Sequence, residues 1–175
     1  MRFVVTGEWS RNRLLQTIVV LYAIYVAGLW LTNALLYFQK MGLSPASVVE
    51  YYLGNEERFL SPRSYQGLLE VSHFHLFAMG MLLLVLTHLA LFVPVSARAK
   101  ALLVVVPFAS AALEEASGWL VRFVDPAFAI LKVGAFLLLQ GSLATLVGVS
   151  LWAVFSGRSE NYVGQGEEGD PEEEP

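Results

Sequence analysis

The chain has 175 residues, of which 56% are hydrophobic and only 15% charged, and its mean hydropathy is +0.58. A soluble domain of this size needs more polar surface to cover its core, so lipid is the expected solvent, and four spans leave no room for a sizeable second domain. The formal charge of −4 hides an asymmetry: seven acidic residues between Glu160 and Glu174 follow the last basic residue, Arg158, and without them the body carries +3.

The absence of cysteine excludes disulfides, thiolate metal sites and covalently attached c-type haem. Arg2, Arg11 and Arg13 precede a long apolar run with no small-residue cleavage site, which reads as a retained first span. A hydrocarbon core of about 30 Å takes about 20 helical residues. Four segments qualify, at about 14–38, 66–93, 99–121 and 127–155. The predicted fold is therefore all-α: an integral membrane four-helix bundle over residues 1–157, followed by an acidic, disordered tail over 158–175.

The first span carries Asn33 near its end. The connection from Gln39 to Tyr65 contains Ser44-Pro45 and the capping-box pattern Ser47-x-x-Glu50, followed by Val48, Val49, Tyr51, Tyr52 and Leu53. It predicts a short amphipathic helix, either lying at the membrane interface or packed over the mouth of the bundle. Ser61-Pro62 is the expected cap of the second span, Ser96 of the third and Asp125-Pro126 of the fourth. Pro107 should kink the third span, and Gly157 suits the C-terminus of the fourth. Gly134, Gly141 and Gly148 recur every seven residues on the fourth span, a stripe expected to admit a close neighbouring helix. The alternative for it is a groove for a flat cofactor or a lipid tail.

Lys and Arg in the short loops favour both termini in the cytoplasm, and the expected location is a bacterial inner membrane. Trp9 and Trp152 then fall near the inner interface, and Tyr37, Tyr65 and Trp119 near the outer one.

Ionisable groups inside spans are costly and mark function or specific pairing. The second span has Glu70, His73, His75 and His88, the third Glu114 and Glu115, and the fourth Lys132 with the neutral Gln140. By depth, Glu70, His73, His75, Glu114, Glu115 and Lys132 gather towards one side, in the outer leaflet. By angle, at about 100° per residue, Glu70, His73 and His88 share a face of the second span, while His73 and His75 stand roughly 160° apart.

Four readings follow. His73, His75 or His88 can ligate b-type haem in a bundle core. Glu70-x-x-His73 with Glu114 or Glu115 can hold a non-haem metal. A buried His–Glu constellation with Glu70, Glu114, Glu115 and Lys132 can accept protons from a quinol. Or no cofactor is bound, and Lys132 with Glu114 or Glu115, and His73 with Glu70, pair to fix helix register.

The stretch Ser72-His73-Phe74-His75-Leu76-Phe77-Ala78-Met79-Gly80 resembles the His-x-His-Leu segment of membrane b-type cytochromes, and His73 and His88, about 22 Å apart along one face, resemble the two ligand levels of transmembrane di-haem cytochromes b. The resemblance implies a small subunit of an electron-transfer complex, respiratory or photosynthetic. All three histidines lie on one span, so a partner subunit, a second copy or Met79 would supply the other axial ligand. The competing expectations are a cofactor-free accessory subunit and a catalytic metalloprotein. The partners expected are the lipid bilayer and other membrane subunits or further copies of the chain. No nucleotide-binding loop and no clustered basic surface for nucleic acid is present in the sequence.

Overall fold

The computed structural model describes residues 13–156. Four long helices, α1 (Arg13–Lys40), α3 (Tyr65–Ala90), α4 (Ala97–Phe123) and α5 (Ala129–Ser156), are each long and apolar enough to cross a membrane; α2 (Pro45–Leu53) is short, and a 3₁₀ turn over Pro126–Phe128 leads into α5. The architecture is an all-α membrane bundle. Large apolar side chains face outward along every span, among them Leu21, Leu35, Phe74, Phe77, Leu84 and Leu138. Acyl chains are the solvent that suits such a surface. The expectations placed on Trp9, Gly157 and the tail at 158–175 lie outside the described residues.

Serine and aspartate side chains start most of these elements. Ser44 accepts from Ser47 N at 3.3 Å with Pro45 in the first turn of α2, Ser96 accepts from Ala99 N at 3.3 Å, and Asp125 accepts from Ala127 N at 2.7 Å. Two expected caps are displaced. Ser47-x-x-Glu50 is not a capping box: Ser47 Oγ bonds back to Ser44 O, and Glu50 is taken by Arg58 Nη1 at 2.8 Å. Nor does Ser61-Pro62 open α3. That segment is held extended across the bundle end, where Arg63 N donates to Tyr52 O at 3.0 Å, and the cap passes to Ser64, which accepts from Gly67 N at 3.1 Å.

Helix α5 is the hub and packs against α1, α2, α3 and α4. One core joins Val26 of α1, Leu82, Leu83 and Leu86 of α3, and Leu139, Leu143 and Leu146 of α5. A second lies under α2 and joins Tyr37, Val48, Tyr52, Leu68, Val121 and Phe136. So α2 roofs one end of the bundle: Val48 and Tyr52 are buried against α4 and α5. Tyr37, expected in an interfacial belt, is instead buried and stacked on Phe136 with centroids 3.6 Å apart. The aromatic collar at the roofed end is Tyr65, Trp119 and Phe123.

Pro107 is buried within a continuous α4, where Ser110 Oγ donates to its carbonyl at 2.9 Å. The glycine stripe does not admit a neighbouring helix of this chain. Gly134, Gly141 and Gly148 are exposed, and a Cβ built on any of them meets nothing within 4 Å. The reason is angular: α5 buries Lys132, Phe136, Leu139, Leu143, Leu146 and Ser150, and the glycines fall on the opposite side.

Candidate functional site

The roof and the upper ends of α1, α3, α4 and α5 enclose a chamber of about 440 Å³. Lys40 of α1 and Arg63 of the α2–α3 connection are in its lining, and three further helices contribute the rest of its carboxylate, imidazole and ammonium groups. On α3, Ser72 is buried one turn from His75, whose side chain lines the chamber and is 46% exposed. On α4, Glu114 and Glu115 occur at the level where Ser117 and Gly118 let the neighbouring elements approach. On α5, Lys132 enters one turn after the 3₁₀ turn set by Asp125-Pro126.

Two hydrogen-bonded groups result. Trp119 Nε1 donates to Ser72 Oγ at 2.7 Å, and Ser72 Oγ donates to Glu115 Oε1. The other oxygen of Glu115 faces His75 Nδ1 at 3.3 Å. Indole, hydroxyl, carboxylate and imidazole thus form one chain. It orients the Glu115 carboxylate from one side and leaves His75 Nε2 directed away from it. The second group is the pair of Lys132 Nζ with Glu114 Oε1, reinforced by Lys132 Nζ donating to Glu114 O at 2.8 Å. The Lys132 side chain is 6% exposed and that of Glu114 17%. The Lys132 ammonium also sits 5.8 Å from the Tyr52 ring. Burial raises the Tyr52 phenol above its ordinary pKa; Lys132 opposes that and the Glu114 carboxylate adds to it.

Gly118 makes the roof possible. A Cβ there would stand 2.6 Å from Tyr52 Oη and 3.0 Å from its Cζ, so only glycine lets the Tyr52 ring cross α4. Tyr37, beside Lys132 and Phe136 in the chamber wall, has a buried hydroxyl with no hydrogen-bond partner.

A second cavity of about 330 Å³, lined mostly by apolar residues, runs down from the chamber between α1 and α3. Asn33, Leu36, His75, Glu114 and Glu115 line both cavities, so the two adjoin.

The structure gathers four of the seven site residues expected from sequence: His75, Glu114, Glu115 and Lys132. It does not bring in Glu70, His73 or His88. All three are exposed on α3; Glu70 accepts from Gln66 Nε2 at 2.9 Å rather than pairing with His73, and His88 packs edge-on against Phe92. The expected set of Glu70, His73, Glu114 and Glu115 is therefore not assembled. Among the described residues no group of three or more His, Cys, Asp or Glu side chains could hold a metal ion. Ser72, Trp119, Tyr52, Tyr37 and Gly118 belong to the site and carry no chemical motif in the sequence. The signal for Ser72 was its i, i+3 spacing to His75.

A family model, Aq_1264_TM, described as a transmembrane helical domain, matches residues 42–161. That range spans α2 to α5 and contains Tyr52, Ser72, His75, Glu114, Glu115, Trp119 and Lys132. No curated protein and no solved structure matches the chain.

Proposed function

The chain belongs to the Aq_1264_TM family of transmembrane helical domains, and from that premise we propose that it is a small membrane subunit of an electron-transfer complex in which His75 and Glu115 form the proton-accepting site for a quinol. The observation that carries this reading is the His75–Glu115 pair at the junction of a polar chamber and an apolar cleft. A quinol needs both environments: polar groups for its hydroxyls and an apolar surface for its ring and tail. His75 accepts the hydroxyl proton, and Glu115, held by Ser72 and Trp119, orients the imidazole and stabilises its cation. As the quinol becomes a quinone, its two protons leave through this pair to water on the roofed side. Its two electrons pass to a one-electron carrier of the haem or metal-cluster class on a partner subunit. With the orientation expected from the Lys and Arg distribution, the chamber lies in the outer leaflet of the membrane.

A b-type haem on this chain would be held through His73 or His88, whose outward placement on α3 would require the second axial ligand from another chain. A cofactor-free scaffold role is favoured by a different observation, the buried Lys132–Glu114 pair, which fixes α4 against α5 without needing a ligand.

The test is binding. Purified protein in lipid nanodiscs is titrated with a short-tailed quinol analogue, and native quinones are extracted and chromatographed. Loss of one charge-assisted hydrogen bond, about 1.5–3 kcal/mol, corresponds to a loss of roughly tenfold or more in affinity. Both Glu115→Gln and His75→Ala should show it. A wild-type protein that takes up no quinone-class ligand, or variants that bind as well as wild type, overturns the reading.

A further inference from the structure

Helix α1 has 28 residues and is about 42 Å long, whereas a hydrocarbon core is about 30 Å thick. Centred on that core it extends about 6 Å beyond each face, so its last turn, which ends in Lys40, stands among lipid headgroups. Beside the chamber at this level is a separate pocket of about 440 Å³, between the end of α1, the helix α2 and the segment that carries Arg58 and Arg63. Three cations line it, Lys40, Arg58 and Arg63, against one carboxylate, Glu50. Arg58 Nη1 holds both oxygens of Glu50, at 2.8 and 3.0 Å, so the charges of that pair cancel. Lys40 and Arg63 have no carboxylate partner among the described residues. Arg63 is nevertheless held in place. Its guanidinium lies 4.0 Å over the Tyr51 ring, its N donates to Tyr52 O at 3.0 Å, and its O accepts from Arg122 Nε at 2.8 Å. The edge of the pocket is apolar: Phe38 and Leu60 line it and are 54% and 46% exposed. Phe59, next in the chain to Leu60, is 95% exposed at a φ of 53°, a conformation that bulky residues avoid.

We propose that this pocket binds the phosphate of an anionic phospholipid, with Lys40 and Arg63 as its cationic ligands and Phe38, Phe59 and Leu60 against the acyl chains. The site stands apart from the quinol reading and does not depend on it. Three observations combine. The first is charge: the lining carries a net of two positive charges, and both reside on side chains that no carboxylate of the chain neutralises. A phosphate diester supplies the missing anion, and an ammonium and a guanidinium bind its oxygens by charge-assisted hydrogen bonds. The second is depth: the pocket lies at the end of a span, where basic pockets meet lipid headgroups. The third is its mixed character. Phe38 lies two residues towards the hydrocarbon from Lys40, so polar and apolar surfaces follow one another in the order of a lipid's phosphate and chains. A phosphate ion free in water has no use for the apolar edge, and a zwitterionic lipid brings an ammonium of its own that the two cations repel.

The experiment titrates the full chain in detergent with phosphatidylglycerol and with phosphatidylcholine of the same acyl chains, and counts bound lipid by native mass spectrometry. Wild type should bind the first phosphatidylglycerol roughly tenfold or more tightly than phosphatidylcholine. Lys40→Gln should remove most of that preference and Lys40→Arg should keep it. Lys40 is exposed and has no ion pair to lose, so this readout survives even if Arg63→Gln disturbs the roof through Tyr51. Arg98→Gln, which removes a cation at the opposite end of the bundle, should leave the preference as in wild type. Inorganic phosphate and glycerol phosphate should not displace the bound lipid. Displacement by either assigns the pocket to a water-borne phosphate and overturns the lipid proposal. Equal binding of the two lipids by wild type, a preference that persists in Lys40→Gln, or an equal loss in Arg98→Gln overturns it as well.

Discussion

At the scale of single residues, the site is held by two kinds of contact with different energetics. The Lys132–Glu114 pair is buried, so its members depend on each other more than the fold depends on the pair. Lys132→Met alone leaves Glu114 uncompensated and should destabilise by about 3–5 kcal/mol. Lys132→Met combined with Glu114→Gln should recover much of that loss, and a double-mutant cycle on unfolding in detergent measures the coupling. Gly118 obeys the opposite logic. Alanine gains about 1 kcal/mol of helix propensity over glycine, but the added methyl meets Tyr52 at 2.6 Å. Overpacking costs about 1–3 kcal/mol, so Gly118→Ala should be net destabilising by thermal unfolding. The penalty should shrink in a Tyr52→Phe background, which removes the nearest atom. The Arg58–Glu50 bridge on the roof is a weak contributor by comparison, because Arg58 is largely exposed.

At the scale of elements, the spans were legible because a long apolar run has few alternatives to a membrane helix; the boundaries at Arg13–Lys40 and Ala97–Phe123 differ from the hydropathy limits by one to two residues. The faces were not legible. In a soluble helix the apolar stripe marks the buried side. Here α3 is apolar all round: Leu69, Phe74 and Phe77 face lipid while Leu68, Leu83 and Leu86 face the core. Angular arithmetic therefore gave the relation of Glu70, His73 and His88 to one another but not which way they point. The face that turned inward was that of Leu68 and Ser72, with His75 half-exposed at its edge. The glycine stripe has no neighbour within this chain, because its side of α5 is the one turned away from the bundle. With open space around it, Gly141→Ala should leave thermal stability unchanged or slightly raised, in contrast to Gly118→Ala. Ser64 was passed over in favour of Ser61 because a Ser-Pro pair is the stronger local signal, and only the bond from Arg63 N to Tyr52 O shows why the chain stays extended there. Ser44→Ala, which removes the cap of α2, should cost about 1 kcal/mol and loosen the roof, measurable as faster proteolysis of the α2–α3 connection.

At the scale of the whole molecule, three helices and a roof surround the polar cluster, and α5 ties them together. The remaining span, α1, closes the bundle on one side and leaves a slot on the other. Leu29, Trp30 and Leu76, which line that slot, are exposed on the apolar outer surface of the spans. Whatever occupies it exchanges with acyl chains and not with water, and an acyl chain is as apolar as leucine, so burying a tail there gains little hydrophobic free energy. Discrimination between ligands must then reside in the few polar atoms at the top. The relevant concentration is a mole fraction in the bilayer. Titrations at different lipid-to-protein ratios should superimpose on that axis and diverge when plotted against bulk molarity.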